Sequence, residues 1–66
     1  MNITINGQPF AWSRGKSLAE AVAALTSASS GVAAAVNGEV VRRGVWASTQ
    51  LADGDQVEVL TAVQGG

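Results

Sequence analysis

The chain has 66 residues and a net charge of −1, with 47% apolar and 14% charged residues, which specifies one small globule with a modest core and excludes intrinsic disorder. It contains neither cysteine nor histidine, so disulfides, thiolate nucleophiles, imidazole bases and the usual zinc ligands are all excluded. Arg14, Lys16, Arg42 and Arg43 are offset by five acidic residues, and no broad basic face exists for a nucleic-acid backbone.

The opening Met1-Asn2-Ile3-Thr4 has no basic segment followed by an apolar one, and no apolar run is long enough to span a bilayer; the expectation is a soluble cytoplasmic protein. Ile3 and Ile5 alternate with Asn2, Thr4 and Asn6, and Asn6-Gly7 signals a tight hairpin because both residues tolerate positive φ. The returning strand, Gln8 to Trp12, puts Phe10 and Trp12 on one face, which reads as core packing, with an aromatic binding surface as the alternative. Pro9 cannot donate to a ladder and assigns this strand to a sheet edge.

Arg14-Gly15-Lys16 lacks the spacing of a phosphate loop and reads as a turn. Ser17-Leu18-Ala19-Glu20 is a capping box that starts a helix, with Leu18, Ala21, Val22 and Leu25 as its apolar stripe. The helix fades at Thr26-Ser27 into the loop Ala28-Ser29-Ser30-Gly31. Val32-Ala33-Ala34-Ala35-Val36 is short enough to be a strand despite its alanines. Apolar on both sides, it must be covered twice or lie at a contact surface. A second Asn-Gly pair, Asn37-Gly38, reverses the chain into Glu39-Val40-Val41.

Arg42-Arg43-Gly44 reads as a solvated turn, with capture of a phosphate or an acidic partner as the alternative. Trp46 is expected to plug one end of the core from an irregular segment, and Leu51 to tuck in beside it. Asp53-Gly54-Asp55 lacks the further oxygen ligands of a calcium loop and reads as a turn before the last strand. In that strand, Gln56 to Thr61, Val57 and Val59 face the core with Val63 beyond them, leaving Glu58 and Leu60 opposite. Leu60 on the polar face is therefore a candidate partner contact.

These elements make an α+β domain over residues 1–61: a mixed four- to five-stranded sheet, one helix across one face, and the first and last strands parallel at its centre. Residues 62–66 form a flexible C-terminal tail, Ala62-Val63-Gln64-Gly65-Gly66. Fully extended at about 3.3 Å per residue, such a tail carries its carboxylate roughly 16 Å from the body. Two glycines let that backbone enter a channel that any Cβ blocks. A frayed end or a cloning scar is the alternative reading of the same residues.

The arrangement resembles the ubiquitin-like β-grasp fold, and the sequence is similar to the ThiS family of sulfur carriers in thiamine biosynthesis. The likeness rests on Asn6-Gly7, on Ala35-Val36-Asn37-Gly38-Glu39-Val40-Val41, on Arg43 with Trp46, on Leu51 before Asp53-Gly54-Asp55, and on Val63-Gln64-Gly65-Gly66. It covers the whole chain, departing from the family in Arg42, where relatives often carry proline, and in the alanine-rich helix. The resemblance implies that a ThiF-like adenylyltransferase uses ATP and magnesium to adenylate the Gly66 carboxylate. Sulfur relayed from a cysteine desulfurase then gives a thiocarboxylate, which donates to a ThiG-like thiazole synthase. On this implication Gly66 is the modified residue, Val63, Gln64 and Gly65 occupy the partner's channel, and no residue of the chain is catalytic. The chain itself binds no cofactor, metal, nucleic acid or membrane, and is a monomer when alone. A molybdopterin-type carrier and a ubiquitin-like modifier without sulfur chemistry are the alternatives.

Overall fold

Two like turns set the strand reversals. In the computed structural model, which describes residues 1–26 and 31–61, Asn6 and Gly7 have φ of 51° and 80°, and Asn37 and Gly38 have 51° and 85°. Successive left-handed residues give a turn whose twist matches that of the flanking strands, and Asn-Gly adopts it at least cost. The first turn joins β1 (Asn2–Ile5) to β2 (Gln8–Ala11), and the second joins β3 (Val32–Val36) to β4 (Glu39–Val41), both pairs antiparallel. Trp12 lies one residue past β2, yet its N–H still donates to the Met1 carbonyl at 2.7 Å.

Ser17 caps α1 (Leu18–Leu25) as the sequence predicts. Its Oγ accepts from the Glu20 N–H at 3.4 Å, while Glu20 Oε2 accepts from the Ser17 N–H at 2.8 Å. Each group thereby satisfies a backbone donor that the first helical turn leaves over. Leu18, Ala21 and Val22 are buried, whereas Leu25 is 42% exposed. Its place on the stripe is right, but it is the last helical residue, and the chain is already extended at Thr26. Of the loop expected at Ala28-Ser29-Ser30-Gly31, residues 28–30 lie outside the described residues.

With β5 (Gln56–Thr61) the sheet has five strands in the order β2-β1-β5-β3-β4. β5 is central, parallel to β1 and antiparallel to β3, with Ile5 and Val36 both beside Val57. β2 is an outer strand, the setting in which the missing N–H of Pro9 is tolerated. The helix and one sheet face enclose a single core of Ile3, Ile5, Trp12, Leu18, Ala21, Val22, Ala34, Trp46, Leu51, Val57 and Val59, with Phe10 partly buried against it. This is the ubiquitin-like β-grasp arrangement.

The stretch expected to be a turn and irregular chain is instead a 3-10 helix, Arg43–Ser48. The Val45 carbonyl accepts from the hydroxyls of Ser48 and Thr49 at 3.1 and 2.7 Å, which tightens the turn without any apolar periodicity. Trp46 is 6% exposed, and its Nε1 donates to the Val41 carbonyl at 2.7 Å. The Arg43 guanidinium lies 5.6 Å from the centre of the Trp46 ring, while Arg42 and Arg43 are both exposed.

Candidate functional site

The site is organised by β5, because this strand holds the centre of the sheet and its sequence continues into residues 62–66. Its start is tied down by the turn before it. Gly54 has a φ of 86°, and Asp53 Oδ1 accepts from the Asn2 N–H at 2.8 Å. The Asp55 carboxylate takes the Ala52 N–H at 2.8 Å and the Asn37 carboxamide at 3.1 Å. Both acidic side chains of Asp53-Gly54-Asp55 are thus occupied in fixing the turn.

Along β5 the two-residue period separates two surfaces. Val57 and Val59 are buried against the helix-covered core, and Glu58 and Leu60 lie exposed on the other face. Leu60, singled out from the sequence, is 71% exposed. Opposite it in β3 stands Ala33, Ala35 stands opposite Glu58, and Val40 of β4 stands opposite Ala35. Val40 is 81% exposed.

Small alanines between two taller side chains leave a shallow depression of about 260 Å³, lined by Ala33, Ala35, Val40, Glu58 and Leu60 among others. β3 is covered on one face only among the described residues: Ala34 is buried on the covered face, while Ala33 and Ala35 look outward. A second hollow of about 560 Å³ lies between the Asn-Gly turns, with Thr4, Gly7, Asn37, Gly38 and Gln56 in its lining. Among the described residues, Glu58 is the one ionisable side chain lining either depression.

Of the residues predicted for the site, Leu60 takes its place on the open face, whereas Val63, Gln64, Gly65 and Gly66 lie outside the described residues. Two features escape the sequence. Val40 joins Leu60 only through the register of β4 on β3. The Asn6 side chain, read from the sequence purely as a turn former, also bonds both backbone groups of Val59, 53 residues away. No local pattern signals such a contact.

Comparison with known proteins agrees across the full length. The sequence model of the ThiS family matches residues 3–66. The sulfur carrier protein ThiS of Escherichia coli (strain K12) is 32% identical over 66 residues, covering 100% of both chains. A crystal structure of the thiamine biosynthesis protein ThiS from Geobacter metallireducens is 36% identical, with a TM-score of 0.78 and 100% of both chains covered. A solution structure of a thiamine biosynthesis protein from the same organism gives 36% identity and a TM-score of 0.76, covering 100% of this chain and 88% of the other.

Proposed function

Because the chain belongs to the ThiS family, the sulfur carriers of thiamine biosynthesis, and is a carrier rather than an enzyme, we propose that it bears its sulfur on the carboxyl group of Gly66. A carboxylate is a poor electrophile and needs activation before sulfur can be attached. In this reading a ThiF-like adenylyltransferase binds ATP and magnesium, the Gly66 carboxylate attacks the α-phosphorus, and pyrophosphate leaves. A persulfide relayed from a cysteine desulfurase then attacks the acyl carbon through its outer sulfur and displaces AMP, and a thiol reductant cleaves the acyl disulfide, leaving a new disulfide behind and the sulfur on Gly66. The resulting thiocarboxylate hands its sulfur to a ThiG-like thiazole synthase. This ATP-dependent chemistry belongs in the cytoplasm.

The full-length match to a sulfur carrier carries the reading. The composition of the chain is compatible with it, since the sequence has neither the cysteine nor the histidine that would serve as its own nucleophile or imidazole base. Val63, Gln64 and Gly65 thread the partner's channel, where Gly65 admits the backbone without a Cβ. Leu60, with Val40 across the alanines of β3, forms an apolar contact for a partner. The chain alone is a monomer that holds neither nucleotide nor metal.

Intact mass measurement tests this. Incubation with ATP, a ThiF-like adenylyltransferase and a sulfide source replaces one C-terminal oxygen by sulfur, and deletion of Gly66 abolishes the exchange without shifting thermal unfolding. An unchanged mass beside an active partner overturns the reading, and attachment to a lysine through an amide replaces it with a protein modifier.

A further inference from the structure

The parallel pairing of β1 with β5 stops short of the end of β5. Ile5 lies beside Val57, and the Asn6 N–H donates to the Val57 carbonyl at 2.8 Å. In a parallel ladder the next bond runs from the Val59 N–H to the backbone carbonyl of Asn6. At Asn6, however, the chain turns off into the hairpin with a φ of 51°. The bond is made by the side chain instead: the Val59 N–H donates to Asn6 Oδ1 at 2.8 Å, and Asn6 Nδ2 donates to the Val59 carbonyl at 3.1 Å. One carboxamide thus satisfies both backbone groups of Val59 in place of a further strand residue.

Val59 lies close to Thr61, where β5 ends and after which Ala62 to Gly66 follow in sequence. On its other flank β5 is paired all the way, with Val32 beside Thr61. Without Asn6 the last part of β5 is held from one side only.

Asn37 provides the internal contrast. It has the same φ and the same following glycine, and its Oδ1 accepts from the Gln56 N–H at 2.9 Å while its own N–H donates to the Gln56 carbonyl at 2.7 Å. Two matching turns brace one strand, Asn37 at its start and Asn6 near its exit.

We infer that Asn6 is a positioning residue for the reaction at Gly66, an inference that rests on the function proposed above. It touches no reacting atom. It acts through Val59, holding in place the end of β5 that the activating partner meets before it reaches Gly66. Val59 stands two residues before Thr61, so losing both of its bonds displaces the place where β5 ends. Misplacement by about 1 Å in a reacting complex can cost as much as 100-fold in rate.

The test pairs Asn6→Gly with Asn37→Gly, because glycine keeps each turn's positive φ while removing the carboxamide. Pyrophosphate release with a ThiF-like adenylyltransferase and ATP gives the activation rate, and amide hydrogen exchange reads the protection of Val59. Asn6→Gly is expected to lose Val59 protection and about tenfold in kcat/KM, while Asn37→Gly stays within about twofold of wild type despite a comparable loss of thermal stability. Asn6→Asp keeps the acceptor for the Val59 N–H but loses the donor, and falls between; it carries the test if Asn6→Gly does not fold. Equal slowing by the two glycine variants overturns the inference, as does a wild-type rate in Asn6→Gly or, should that variant not fold, in a folded Asn6→Asp. A wild-type protein that no such enzyme activates defeats the functional reading itself, and this inference with it.

Discussion

The two faces of β5 differ in what they do, although their residues alternate along one strand. Val57 and Val59 close the core under the helix, while Glu58 and Leu60 stand on a face that no element among the described residues covers. Burial on one side holds the domain together, and exposure on the other leaves apolar area for the partner contact proposed above. On that proposal stability and recognition fall to neighbouring residues that can be altered separately. That separation suits a carrier, whose body must persist while other proteins handle it.

Substitutions on each face test the separation, beginning with the largest expected loss of stability. Ile5 is fully buried beside Val57, and Ile5→Ala is expected to cost about 2–5 kcal/mol. A domain of this size has little more than that in reserve, so urea denaturation should find this variant largely unfolded. A fully folded Ile5→Ala would remove the covered face from its role. Trp46→Phe keeps an aromatic plug but removes the hydrogen bond to the Val41 carbonyl. It should lower unfolding stability by about 1–3 kcal/mol, since a part-buried acceptor loses its donor. A variant with unaltered stability would show that the bond contributes nothing net.

On the open face Leu60→Thr keeps a strand-forming residue and removes the apolar contact. Its unfolding free energy should stay within about 0.5 kcal/mol of wild type, while kcat/KM for adenylation of the protein falls about tenfold, equivalent to about 1.4 kcal/mol. Unchanged kinetics would take Leu60 out of the partner interface and leave the open face without an assigned role.

What could be read in the sequence was what depends on near neighbours. Asn6-Gly7 and Asn37-Gly38 take positive φ because of their own residue types, Ser17 and Glu20 satisfy each other's backbone three residues apart, and each forms as expected. The alternation of β5 was legible too, and Leu60 stood out because it breaks the polar pattern of its face. The 3-10 helix Arg43–Ser48 was not, because it is built on hydroxyl bonds to the Val45 carbonyl instead of an apolar repeat. Leu25 shows the converse failure: the periodicity was correct, but the helix ends at that residue. Val40 and the second role of Asn6 depend on strand register and on a contact spanning 53 residues, and both exist only once the sheet is assembled.

The outermost strands of the sheet have a bearing on how such a protein behaves when crowded. β2 interrupts its free margin with Pro9, and β4 is only three residues long. Neither margin offers an uninterrupted row of bare amides for another copy to extend, which is how natural sheets avoid growing into fibrils. The molecule can therefore display a sticky apolar surface at its middle while its borders refuse further strands, and self-association is discouraged at the place where sheets are most prone to it.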